Sequence, residues 1–145
     1  MTQNRKRILL LIVLLTASAW TVPAVAQDCL TYEPDKVVLP GTIRRHTFPG
    51  PPNYESVARG DAREDVWVLR LSKPICVSAS ADWERESNVT DVQLVLAEGQ
   101  KQYDQYRPFL GKSVAVSGTL FQGHTGHHHT RVLLTVGDIQ KVVRK

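Results

Sequence analysis

Four of the chain's five histidines crowd into the stretch GTLFQGHTGHHHTRVLLTV: His124, His127, His128 and His129, with His46 far upstream. Imidazole can ligate borderline metals, change charge near pH ~6.5, or simply hydrogen-bond a neighbouring loop. If residues 127–129 are extended, His127 and His129 project to one side and His128 to the other. Two imidazoles at i and i+2 suit Zn²⁺, Cu²⁺ or Ni²⁺, and His124 can join them across the bend at Gly126. The metal candidates are therefore His124, His127 and His129, with Zn or Cu as the cofactors to expect. Against this, no carboxylate or cysteine lies within the tract, whereas a structural zinc site normally presents four defined ligands. An exposed hairpin that contacts a partner is the alternative.

Two aromatic segments suggest recognition. In FPGPPNY, Phe48 and Tyr54 flank three prolines, a stiff amphipathic surface of the kind that holds a partner. Capping of the core by both rings is the competing reading. Trp83 sits in the polar run SADWERESN, where no core pattern explains it. Phe48, Tyr54, Trp83, His124 and His128 are the candidate ligand or partner contacts. Catalysis finds little support. Asp61, Glu64, Asp65 and Ser56 stand in no nucleophile elbow, metalloprotease helix or phosphate-cradling loop, so no catalytic residue is assigned.

These residues need a scaffold. VVLPGTIRRHTF predicts a first strand, bulged near Gly41, and the proline-containing loop over 48–60 follows. DVWVLRLSKPICV is the clearest strand, broken or bulged at Pro74. VTDVQLVLA predicts a third strand, and QKQYDQYRPFLG a short amphipathic helix distorted at Pro108 and stopped by Gly111. KSVAVSGTLF and TRVLLTVGDIQKVV supply two more strands around the histidines. The expected fold is mainly β: a five-stranded Greek-key barrel of the OB-fold kind, with one short helix between strands 3 and 4. An open antiparallel sheet with one packed helix is the alternative.

The ends speak of export. Arg5, Lys6 and Arg7 precede the apolar run ILLLIVLLTASAW, and Ala24-Val25-Ala26 offers a signal-peptidase site. Residues 1–26 are expected to be a signal peptide and 27–145 a single domain of a bacterial periplasmic or secreted protein, with no stable membrane insertion after cleavage. The full chain carries 18 Lys+Arg against 14 Asp+Glu, a net charge of +4. Removing three basic residues with the leader leaves 15 against 14, or +1. With the charges interspersed, nucleic acid is not an expected partner. Cys29 and Cys76, an even pair in an oxidising compartment, are expected to form one disulfide contributing roughly 3–4 kcal/mol.

A family resemblance rests on longer segments: the Pro-Gly-Pro-Pro-x-Tyr loop, the Leu-x-x-Pro-Ile-Cys strand end, and Gly-Lys-x-Val-x-Val-x-Gly-x-Leu-Phe leading into Thr-Gly-His-His-His-Thr. In these the chain resembles a bacterial family of exported small proteins catalogued as domain of unknown function 4431. The resemblance implies one exported domain with a barrel-like core and brings no assigned activity. The expected function is thus a non-catalytic periplasmic binding module. It would recognise an envelope protein, peptide or small ligand through loops at the barrel rim. A metal-binding histidine tract and an inhibitor or immunity-type protein of an exported enzyme are the other two readings.

Overall fold

The computed structural model describes residues 28–142, so the expected signal peptide lies outside the described residues. Five strands follow in order: β1 (Lys36–Pro49), β2 (Arg63–Val77), β3 (Glu86–Val95), β4 (Ser113–Gln122) and β5 (Val132–Lys141). One helix, α1 (Gln100–Tyr106), lies between β3 and β4 and tightens into a 3₁₀ turn, Arg107–Phe109, at Pro108. The strands close in the order β1-β2-β3-β5-β4, with β4 pairing back onto β1. Only the β3–β5 pairing is parallel. This is the five-stranded OB-type topology, and the β1–β4 pairing excludes the open sheet. No helix among the described residues is long and apolar enough to cross a membrane.

Strand β1 makes the closure possible by serving two partners. Its first half pairs with β4 and its second half with β2, and Gly41 pairs with both Val114 and Leu71. A Cβ on Gly41 would stand 2.5 Å from the Arg70 carbonyl oxygen, so only glycine lets the strands come this close. The bulge expected there is absent; β1 runs unbroken because it changes partner at this point. The irregularity expected at Pro74 is present, as register shifts between Arg70 and Val77 where β2 meets β3.

Alternation sorts the side chains. Leu39 and Ile43 on β1, Leu69 on β2, Leu94 on β3, Val114, Val116 and Leu120 on β4 and Leu134 on β5 are wholly buried. Each contributes on the order of 1.5–3 kcal/mol by leaving water. The N-terminal lead-in is stitched on by the Cys29–Cys76 disulfide and by backbone hydrogen bonds from Leu30 to Cys76 and from Ser78 to Leu30. The β1–β2 pairing runs on from Thr42–Arg70 to Pro49–Arg63 as an arm, whose end, His46 to Pro49 against Val66 to Arg63, extends past β3 and β4 as two strands alone. One face of the arm carries Arg44, His46, Phe48, Glu64, Val68 and Arg70. The other carries Arg45, Thr47, Asp65 and Trp67.

Candidate functional site

The loop after β1, residues 50–62, is shaped by one carboxylate. Asp61 is buried and accepts hydrogen bonds from the backbone N–H groups of Asn53, Glu55 and Ser56 at 2.7–3.0 Å, and from the Asn53 amide. Those bonds, led by the ones from Ser56 and Glu55, hold its carboxyl below the ordinary value. Between the donors Tyr54 is left-handed, with φ 59°, a conformation costly for a side chain of this size. The conformation aims its ring across at the histidine loop. There it lies against Gly126, where a Cβ would stand 2.9 Å from the ring.

The histidine loop, residues 123–131, folds back over the outer face of β2 and β3. Its clamp is Gln93, a buried amide that donates to the His127 carbonyl at 3.0 Å and accepts from the His129 N–H at 2.8 Å. The Gln93 backbone N–H donates to Thr130 Oγ1 at 2.9 Å. Arg131 pins the far end of the loop through Glu86 at 2.7 Å and the Ser87 carbonyl.

Held this way, the four histidines separate into two pairs. His127 Nδ1 lies 2.6 Å from one oxygen of Glu64, and His129 Nε2 lies 2.9 Å from the other. Burial alone would raise the Glu64 carboxyl. The hydrogen bonds from His129 and His127, with their charge, outweigh it and hold the group below its ordinary value. His127 Nε2 faces the Tyr54 hydroxyl at 3.3 Å, and the His129 ring stacks flat on Phe48 with centroids 4.3 Å apart. Glu64 therefore ties the histidine loop to the arm, and Tyr54 of the other rim loop meets it only through His127.

The second pair lies on aromatic rings. His124 stacks on Trp83 at 5.4 Å, and His128 meets Phe121 edge-on at 5.4 Å. His124 donates from Nδ1 to the Gln122 carbonyl, and its backbone N–H donates to His128 Nδ1 at 3.0 Å. Burial first, then the neighbouring His124, His127 and His129, push the His128 imidazole below its ordinary value. Trp83 is half-buried against the core beside Tyr32.

The structure thus brings Phe48, Tyr54, His127 and His129 together, and gathers Trp83, His124 and His128 into a separate group. His124 stands with His128 and not with His127 and His129. Among the described residues no group of three or more His, Cys, Asp or Glu side chains is disposed to hold a metal ion. The Glu64 oxygens stand at hydrogen-bond distance from the imidazoles. Tyr54, His127 and Glu64 follow one another in the order of a proton relay. His127 is well exposed.

Beside the Glu64 pair, the outer face of the arm opens into a cleft of about 340 Å³ lined by Arg44, His46, Phe48, Arg70, Asp91 and His129. Arg70 is paired with Asp91 at 2.7 Å, whereas no described residue hydrogen-bonds or ion-pairs with Arg44. With this geometry in view, a likeness to a known family can be reported for part of the chain. Residues 91–140 match the model of the family described as a domain of unknown function, DUF4431. No curated protein matches the chain. The DUF4431 stretch runs from Asp91 through α1, β4 and all four clustered histidines into β5. Glu64 and the Tyr54 loop lie outside it.

Sequence reasoning missed Glu64 and Gln93 as members of the site. Pairing the two strands in register would have found Glu64, because it sits directly opposite Phe48. Gln93 gave no signal, since a polar residue alternating with Val92 and Leu94 is what any half-exposed strand shows.

Proposed function

We propose that this domain is a non-catalytic binding module of the bacterial envelope. It takes a segment of an envelope protein, a peptide or a small ligand in the cleft on the outer face of the β1–β2 arm. The observation that carries this reading is the anchoring of the histidine loop on Glu64, with Tyr54 of the other rim loop against His127, beside an open cleft with an unpaired guanidinium and a Phe48–His129 stack. A surface held this rigidly loses little conformational entropy on binding. Loops around the mouth of a small barrel are a frequent place for ligands, although that analogy concerns shape alone. The disulfide is compatible with an oxidising exported compartment.

The test is position-resolved capture. A photo-cross-linking amino acid is placed at His46 in the cleft and, as control, at Lys36 at the other end of β1. The expected result is a defined envelope component captured from position 46 and not from 36. Reconstituted with the purified component, binding should fall about tenfold or more in an Arg44→Glu/Phe48→Ala variant, the loss of one charge-assisted contact and one apolar anchor. Equal capture from both positions, or none from either, contradicts the reading.

Metal handling is the rival that the same residues could support, with His127, His129 and Glu64 as donors in exchange for their shared protons. Calorimetric titration with Zn²⁺ and Cu²⁺ separates the two. Binding at about micromolar strength, abolished by His127→Ala/His129→Ala, transfers the assignment to metal handling.

A further inference from the structure

The opposite face of the arm carries a second cavity, unconnected with the histidines. It measures about 360 Å³, at the lower end of the range of roughly 300–1,000 Å³ usual for small-molecule sites. Arg45, Asp65 and Trp67 come from the arm, and Gln100, Tyr103, Arg107 and Leu110 from α1 and the turn after it. We propose that this cavity binds a small organic anion, a carboxylate on a flat apolar body, with the carboxylate on Arg45 and the body between Tyr103 and Leu110.

The argument begins with apolar surface. Trp67 is buried and forms the floor, and Tyr103 meets it edge-on with centroids 5.1 Å apart and planes at 87°. Tyr103 and Leu110 are only partly covered, so a flat ring can complete a wall that the protein leaves open. The polar groups come next. Among the described residues Arg45 has no hydrogen-bond or ion-pair partner, and neither has the Tyr103 hydroxyl. No buried side-chain nitrogen or oxygen among the described residues lacks a partner, so the unpartnered Tyr103 hydroxyl is open to solvent. Burial raises the Tyr103 phenol above its ordinary value, which keeps it a donor at every physiological pH.

The remaining charges are committed. Arg107 is shared with Asp104 at 3.1 Å, and Gln100 donates to the same carboxylate at 2.9 Å. Asp65 accepts from the Thr47 hydroxyl. The two residues with free donors, Arg45 and Tyr103, thus line one space together with Trp67, and in the proposed complex a carboxylate takes both donors as charge-assisted hydrogen bonds. Asp65 opposes that anion, which limits affinity and gives the proposal a variant of opposite sign.

The experiment is a ¹⁵N–¹H NMR titration of the disulfide-intact domain with 2-naphthoate. Acetate serves as charge without ring and 2-naphthalenemethanol as ring without charge. The expected result is a saturating shift of the Trp67 indole and Gln100 amide signals by naphthoate alone. Arg45→Gln should weaken binding about tenfold, the loss of one hydrogen bond to a charged group. Asp65→Asn should tighten it. Arg44→Gln makes the same charge change on the opposite face of the strand and should leave binding intact. Equal response to the alcohol and to naphthoate, equal loss in the Arg44 and Arg45 variants, or an unmoved Trp67 indole overturns the proposal. Because the rim cleft is on the other face, failure here leaves the reading of that cleft standing.

Discussion

The two histidine pairs share one loop, yet they are built for different protonation states. His127 and His129 each present a ring nitrogen to Glu64, and that nitrogen donates whether the ring is neutral or charged. His128 instead offers Nδ1 as an acceptor to the His124 N–H, among aromatic rings. Protonating that nitrogen turns the acceptor into a donor and breaks the bond. What each imidazole can do is therefore set by its partner, not by its place in a run of histidines.

The largest perturbation strikes the amide that grips the loop backbone on either side of His128. Gln93→Leu removes the amide that receives the His129 N–H and donates to the His127 carbonyl, leaving both groups unsatisfied beneath the loop. The expected cost is about 2–4 kcal/mol, read by chemical denaturation, with the amide signals of residues 124–130 shifting together. Signals of residues 124–130 that stay in place would show that Gln93 does not hold the loop.

Next in size, Trp83→Ala removes the ring under His124. It should cost about 2 kcal/mol, because part of that ring is packed on the core. Its spectral effects should reach His124 and His128 and spare His127 and His129. Glu64→Ala is the complement. It frees His127 and His129 at a cost of about 1 kcal/mol and leaves the Trp83 side unchanged.

The smallest effect is in pH. The His128 pKa is lowered on folding, so between its unfolded and folded values the unfolded chain binds more protons. Stability must then fall as pH drops below about 6.5 and level off beneath the folded pKa. Glu64 acts in the same direction at lower pH. Its folded pKa is depressed, so its contribution is complete above the ordinary carboxyl range and lost as pH falls through the folded value. His128→Gln should flatten the first slope and keep the second, in denaturation midpoints measured from pH 7.5 down to 3.5. A slope near pH 6.5 that survives this substitution belongs to another group.

Much of the barrel was legible in the sequence because its strands alternate cleanly. Val114, Val116, Gly118 and Leu120 point inward as the pattern of β4 demands, and Pro108 distorts the end of the helix where expected. Alternation failed on β5, where Val132, Leu133 and Leu134 are all buried; Leu133 is covered on the outer side, opposite Phe121. Strand β3 begins three residues earlier than its apolar pattern, at Glu86, because Arg131 and Gln122 both bind that carboxylate. The two cysteines were paired by simple arithmetic. The grouping of the histidines was not readable, because it depends on a glutamate more than sixty residues upstream and on how the loop folds over Gln93. Local spacing gives the faces of a strand; it does not say which distant carboxylate waits on either side.

The account turns on Glu64 as the carboxylate that binds the histidine loop to the arm through His127 and His129. Long-range ¹H–¹⁵N spectra of the imidazoles, recorded on the native domain and on Glu64→Ala at pH 7.5, test it most directly. The account predicts that the ring signals of His127 and His129 move together while those of His124 and His128 stay in place. Coincident movement of all four, or of none, would contradict it.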